Sequence, residues 1–310
     1  MIKGTYVFYQ DGKEIHRSEN VITKFGKRFI TNFIAGNINT TKKDIAIGID
    51  STAAAENDTR LGFEFYRLPV TVGSTDIQTD GLGATTYAVV YKTTLPQDIA
   101  GQINEIGLYP SSRSSTNNYD SKFISDFNNY LDWTTSEGYN PDTLTSNMKI
   151  GDTMLKMQSN STSAREYKAT VSPIDISGYS INDTIKLAYY KNDANLASIK
   201  IRMYSSANDY YETTITPASG TGYKLSSDIP LSTALASATG SPDKTNINQI
   251  GIIITPTSGN TTWAGIDGLR INDEDTFDPT FGLISRSVVT ALTKSAGRQI
   301  DVEYRLDMTF

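Results

Sequence analysis

The sequence has no cysteine, one histidine and two tryptophans in 310 residues. Without cysteine there is no disulfide, no thiolate metal site and no cysteine nucleophile, and the redox compartment is not written in the chain. His16 is the single imidazole, so a Ser-His-Asp arrangement has one place to be, and no Gly-x-Ser-x-Gly turn accompanies it. It reads as an ordinary surface histidine on a hairpin strand. Charged residues make up only 20%, the net charge is −6, and no run of Lys and Arg exceeds two residues. A dedicated nucleic-acid binder needs a row of cations facing phosphates and is excluded. The stretch GSTDIQTDGLGAT lacks the Lys-Ser/Thr ending of a phosphate loop. No stretch approaches the roughly 20 apolar residues of a membrane span. The opening MIKGTYVFYQDGKEIHRSEN has no apolar signal core. These absences predict a soluble protein outside the general secretory route, with no nucleic-acid partner and no membrane insertion.

What fills the chain instead is Ser, Thr, Asn and 18 tyrosines. That balance suits sheets with polar outer faces better than helical bundles, which favour Glu, Lys, Leu and Ala. Residues 2–9 alternate as a strand, Asp11-Gly12 marks a hairpin turn, and EIHRSENVI returns. TKFGKRFITNFIAG carries Phe25, Phe29, Ile30, Phe33 and Ile34 at helical spacing, with Gly36 as the stop. DIAIGID, GFEFYRLPVTV, ATTYAVVYKTTLP and GQINEIGLYP read as strands, Pro69 suggesting an edge or a bend.

After Pro110 that texture dissolves into SSRSSTNNYD. From about Asn117 short strand candidates follow at regular spacing, among them REYKATVS, DTIKLAYYK, ASIKIRMYS, YYETTIT, QIGIIITPT and TWAGIDGLRIND. Such spacing indicates a β-sandwich. Beyond Asp278-Pro279 the first texture returns in GLISRSVVTALTK and RQIDVEYRLDMTF. A last piece of about 33 residues could barely bury a core alone. Loops tolerate insertions because closure entropy grows slowly with length. The sequence therefore predicts a mainly β protein. An outer β-sandwich-like domain with one short helix, residues 1–115 plus 278–310, is interrupted by an inserted jelly-roll sandwich, residues 116–277.

Two resemblances follow. The words IAIGIDSTAAAENDTRLGFEFYR, NEIGLYP and LISRSVVTALTKSAGRQIDVEYRLDMTF resemble tailed-bacteriophage virion proteins. That resemblance implies an assembly domain whose partners are other virion proteins and further copies of itself, a trimer first. The words DISGYSINDTIKLAYYKND, SIKIRMYSSANDYYETTI and DKTNINQIGIIITPTSGNTTWAGIDGLRIND resemble jelly-roll carbohydrate-binding modules. They imply the fold first and sugar binding second.

Three groups of residues carry the functional expectations. Sugars stack their C–H faces on aromatic rings, and Trp263, Tyr210, Tyr211 and Tyr139 are the candidates; strand alternation turns one of the Tyr210–Tyr211 pair outward. No bound cofactor is expected beyond a structural calcium ion. Jelly-roll modules hold one near their termini, where Asp126, Asp267 and Asp273 supply hard oxygen ligands. An assembly interface is expected at Glu105, Ile106 and Leu108 and along the last strand at Tyr304, Met308 and Phe310, as a free edge open to strand addition. Acidic pairs such as Asp126 with Asp132, Glu137 with Asp142, and Asp273 with Asp275 could serve a glycosidase, yet spacing alone selects none. The leading reading is a non-enzymatic structural protein of a tailed-phage virion, assembled in the host cytoplasm. It would sit in tail, baseplate or adaptor first and on the head surface as capsid decoration second, with the insert projecting for weak adhesion to host surface glycans or as simple decoration. The alternatives are a surface-polysaccharide depolymerase or glycosidase, and a bacterial carbohydrate-binding protein.

Overall fold

The computed structural model describes residues 2–37, 43–70, 72–79, 81, 85–110, 122–135, 139–159, 163–272 and 282–309. The first run of chain forms β1 (Ile2–Gln10), β2 (Lys13–Glu19), β3 (Val21–Ile22), α1 (Lys24–Ile34), β4 (Lys43–Gly48), β5 (Glu64–Pro69), β6 (Val72–Thr79), β7 (Thr85–Leu95) and β8 (Gly101–Pro110). The second forms β9 (Lys122–Ser125), a single 3-10 turn (Tyr130–Asp132), β10 (Trp133–Thr135), β11 (Asp142–Leu144), β12 (Met154–Ser159), β13 (Arg165–Ile174), β14 (Thr184–Lys191), β15 (Leu196–Tyr204), β16 (Tyr210–Ile215), β17 (Gly222–Leu225), β18 (Ile229–Pro230), α2 (Leu231–Ala234), β19 (Ala238–Thr239), β20 (Ile247–Pro256) and β21 (Thr262–Asn272). The chain closes with β22 (Ser285–Lys294) and β23 (Ile300–Thr309). The protein is mainly β, and it divides into two compact units, Met1–Ser114 with Asp275–Phe310, and Ser115–Glu274.

The discontinuous unit has two five-stranded sheets, ordered β2-β1-β23-β7-β6 and β3-β22-β8-β4-β5. The β1–β2 hairpin turns through Asp11 and Gly12, both at positive φ (51° and 74°), the conformation that a tight two-residue hairpin requires. Thr23 caps α1 by accepting the Gly26 N–H at 2.9 Å, and Phe25 and Phe29 lie 6.1 Å apart one turn on. Tyr6 and Phe8 of β1 and Val302 and Tyr304 of β23 turn the same way into the core. The Tyr6 hydroxyl reaches Ser285 Oγ, on the second sheet, at 2.9 Å.

The segment spanning residues 115–274 is a two-sheet sandwich. One sheet runs β10-β13-β20-β15-β16-β19; the other runs β11-β12-β21-β14-β17, with β18 added beside β14 and β9 beside β21. Alternation gives each central strand one apolar face: Tyr167 and Ala169, Ile199, Ile201 and Met203, and Ile250, Ile252 and Ile254 from the first sheet. They meet Leu155, Met157, Ile185, Leu187, Tyr189, Ile266 and Leu269 from the second in one continuous core.

The interface expected along the last strand does not survive this topology. β23 is interior to its sheet, bonded to β1 on one side and β7 on the other, so it has no free edge. Tyr304 is buried, with Met308 half-buried, and Phe310 lies outside the described residues. Ile106 and Leu108 are core residues of β8, which is likewise held on both sides, by β22 and β4. Glu105, expected in the same assembly interface, is 0% exposed. Its carboxylate accepts the N–H groups of Asp50, Gly62 and Phe63 at 3.2, 2.8 and 2.8 Å and pairs with Arg286 at 2.9 Å. Arg286 in turn holds Asp58 at 2.9 Å. This buried pair pins the loop between β4 and β5 to the second sheet.

Candidate functional site

The aromatic candidates do not converge. Tyr210 lies on the outer face of the six-stranded sheet, and Trp263 on the outer face of the opposite sheet. Tyr139 precedes β11, 38% exposed, with the Arg165 guanidinium 5.6 Å from its ring. Tyr211 points the other way from Tyr210, into the core, where its hydroxyl donates to the Pro242 carbonyl at 3.0 Å. Its candidacy as an exposed sugar platform is thereby corrected, because the register with β15 sets Tyr211 beside core Met203 and leaves the outward position to Tyr210. Trp263 stacks on Tyr190 at 5.7 Å and 19°, and the Lys156 ammonium is 5.6 Å from its ring.

Around Tyr210 the outer face of β13, β15, β16 and β20 carries a lattice that no spacing in the sequence announces. Lys200, Arg202 and Tyr204 alternate outward on β15, Glu166 and Lys168 on β13, Tyr210 and Glu212 on β16. Glu212 accepts from Lys200 Nζ and Arg202 Nε, each at 2.7 Å. Arg202 Nη1 donates to Glu166 Oε2 at 3.2 Å and to the Tyr204 hydroxyl at 3.3 Å, and that hydroxyl donates to Glu166 Oε1. The guanidinium lies 4.5 Å from the Tyr210 ring centroid, the Lys168 ammonium 4.2 Å from that of Tyr204, and the two tyrosine rings are 4.9 Å apart. Gly251 of β20 makes this packing fit: a Cβ there would come within 2.6 Å of Glu166 Oε1 and 3.0 Å of the Tyr204 ring.

The electrostatics hold Arg202 and Glu212 in their charged forms. Burial pulls the Arg202 guanidinium down, but its bonds to Tyr204 and Glu212 and the nearby Glu166 more than reverse this, so it stays firmly charged. Burial lifts Glu212, and the bonds from Lys200 and Arg202 carry it below the usual carboxylate range. Tyr204 is raised by burial first and by its bond to Glu166 second. The result is a rigid array of fixed planar donors and acceptors around half-exposed Tyr210, the chemistry that orients hydroxyl-rich ligands.

Of the calcium candidates, Asp267 is fully buried. Its Oδ2 accepts the N–H groups of Lys149 and Ile150 at 2.8 and 3.0 Å and the Tyr223 hydroxyl at 2.5 Å, while Oδ1 has no hydrogen-bond partner. Burial pushes this carboxyl up to about 7; the three bonds pull down against it, and Asp126 adds upward pressure. Asn128 Oδ1, also buried and unbonded, borders the same 149–153 turn, and the Thr153 hydroxyl donates to the Asn128 carbonyl at 2.8 Å. Orphaned oxygens of this kind fit a hard cation in donor type. Among the described residues no three His, Asp or Glu side chains gather at one point, and Asp273 lies outside them.

No family model matches the chain, and no curated protein matches it in sequence. Solved structures with similar strand arrangements include the family 11 carbohydrate-binding module from Clostridium thermocellum in complex with a β-1,3-1,4-mixed-linked tetrasaccharide. It is 18% identical with a TM-score of 0.37, over 49% of this chain and 95% of that one. A non-crystalline cellulose-specific module of family 28 is 14% identical with a TM-score of 0.32, over 53% and 97%. The agarase AgWH50C is 14% identical with a TM-score of 0.36, over 52% of this chain and 25% of that one.

Proposed function

We propose that this chain is a non-enzymatic structural protein of a tailed-phage particle, whose inserted sandwich binds glycans weakly through the outer face of its six-stranded sheet. The observation that carries the glycan reading is the Arg202–Glu166–Glu212 lattice around Tyr204 and Tyr210. Fixed charged planar groups beside an accessible ring hold sugar hydroxyls while the ring takes a C–H face. The virion reading is supported by the sequence motifs of the outer unit, whose NEIGLYP and C-terminal words lie in paired strands β8 and β22 and in β23. Affinity per site is expected in the millimolar range, about −4 kcal/mol, and becomes useful when many copies act together.

The test is a glycan array and a host-envelope pull-down with the protein displayed multivalently, comparing the native chain with Arg202→Ala and Tyr210→Ala. Retention by the native chain and its loss in both variants, with circular dichroism unchanged, is the expected result. Blank arrays together with a blank pull-down would leave the insert without a glycan role. A particle proteome lacking this chain would remove the virion reading separately.

A further inference from the structure

The edge of the first outer-unit sheet carries a feature that neither the glycan face nor the virion motifs use. β6 ends the order β2-β1-β23-β7-β6, so one side of it bonds to β7 and, among the described residues, no strand pairs with the other. Its pairing with β7 runs unbroken from Val72↔Lys92 to Thr79↔Thr85, without a bulge. Its eight residues, VGSTDIQT, hold no Lys, Arg or Pro and one charge, Asp76, which Arg305 already pairs at 2.8 Å. Exposed edges are normally blunted by such residues, by bulges or by brevity, because an open edge templates further pairing.

Gly73, Thr75 and Ile77 share one face of this strand by alternation. Ile77 stands 64% exposed beside Tyr87, itself 44% exposed, and the row continues across the sheet through Met308 to Ile2. Four residues back along β6 the face has a notch. Beside Gly73 an added Cβ would meet only the Tyr91 ring, at 3.6 Å. Knob and notch thus lie on the same strand and the same face, symmetric about Thr75.

The geometry points to a second copy of this chain as the occupant, joined by two-fold antiparallel pairing of β6 with itself, centred on Thr75. In that register Ile77 of each copy sits opposite Gly73 of the other, against its Tyr91 ring. Thr75 faces Thr75, a favourable cross-strand pair. Asp76 faces Ser74, and the two acids stay out of register. Centring the pair on Asp76 instead would set the carboxylates directly opposite each other and leave the notch empty. The two five-stranded sheets become one of ten strands. A single eight-residue edge, about 26 Å long at roughly 3.3 Å per residue, buries less than the roughly 800 Å² per partner of stable complexes. Dimerisation is therefore concentration-dependent in free protein. Nothing in this surface depends on whether the insert binds glycans.

The absence of native cysteine makes the test clean. Full-length Thr75→Cys carries one thiol on the predicted two-fold axis. It should form a covalent dimer under mild oxidation or with a short bis-maleimide, whereas Ala296→Cys, exposed in the β22–β23 turn, should not. Sedimentation of the native chain over a wide concentration range should show a monomer–dimer shift. Ile77→Asp and Gly73→Val should each weaken it at least tenfold with unchanged circular dichroism. The proposal is overturned if Thr75→Cys cross-links no better than Ala296→Cys, if the native chain is monomeric throughout, or if both β6 variants dimerise like the native chain.

Discussion

Asp267 and Glu105 show what a carboxylate in this chain does once it is buried. Glu105 has a guanidinium and three N–H groups to answer its charge, so it is held as one half of an ion pair. Asp267 has two N–H groups and a hydroxyl on one oxygen and nothing on the other, and its carboxyl is pushed up to about 7. A carboxyl raised in the folded state binds its proton more tightly than in the unfolded chain. Its contribution is present in full below the ordinary value of 3.8 and is lost as pH rises through about 7. Three pH units correspond to roughly 4 kcal/mol. In chelator-treated protein the insert should therefore lose thermal stability between pH 4 and 7, and Asp267→Asn should flatten that slope. A cation at the orphaned oxygen inverts the trend: millimolar calcium should raise the unfolding midpoint of the native chain at pH 7 and leave Asp267→Asn unmoved. A calorimetric midpoint that is independent of pH in chelator would refute the titration. One that ignores calcium would refute the ion. Neither role was legible from spacing. Glu105 sits in a strand otherwise without charge, and only the β8–β22 register shows that Arg286 waits beside it.

Strand alternation was the most readable signal at the scale of elements, and the aromatic pair on β16 shows both its reach and its limit. Alternation predicts that Tyr210 and Tyr211 part company, but not which one faces water. That depends on the face β15 turns to β16, fixed by Ile199, Ile201 and Met203 in the core. The same parity, once known, turns Lys200, Arg202 and the covered ring of Tyr204 on β15 and Glu166 and Lys168 on β13 to the outer face, so the outer lattice was written in KIRMY and EYK without being marked as a site. Sequence reasoning favoured isolated aromatics over charged residues because a lone Trp is conspicuous and a salt-bridged Arg is not. The two tyrosines now make a matched experiment. Tyr211→Ala removes a ring packed in the core and should cost about 3–5 kcal/mol, seen as a lowered urea midpoint. Tyr210→Ala should leave the midpoint within about 1 kcal/mol, since its ring is half-exposed. Equal losses from both would mean that the outer face is as structural as the core.

For the whole molecule, the telling fact is where the last described segment, residues 282–309, goes. β22 enters its sheet between β3 and β8, and β23 enters the other between β1 and β7, so each sheet of the outer unit is incomplete until the end of the chain returns. Texture shared by two distant segments hinted at this, but strand order did not follow from it. The last strand, expected as a free edge, is central in the fold, with β1 on one side and β7 on the other. The two ends of the interruption are tied together inside the outer unit: Ser285 pairs with Leu108, and the Ile284 N–H donates to the Leu108 carbonyl at 2.7 Å. β8 and β22 are thus the arms of a hairpin whose turn has been replaced by a domain. Hairpin arms in such register need only two to five residues to connect them. Joining Pro110 to Gly282 through a short Gly/Ser linker should give an outer unit that melts cooperatively. A chain stopped at Glu274 should lose it, keeping only the transition of the insert. Residues 115–274 expressed alone should also unfold in one step, since every described strand pair in that segment is internal to it and its core is continuous. Far-UV circular dichroism against urea distinguishes these species, because the slope of each transition scales with the surface that its unit exposes. The slopes of the linked outer unit and the isolated insert should add up to that of a single full-length transition if the units melt together, or reappear as two separate transitions if they do not. An isolated insert with no transition would show that the sandwich needs the outer strands to fold.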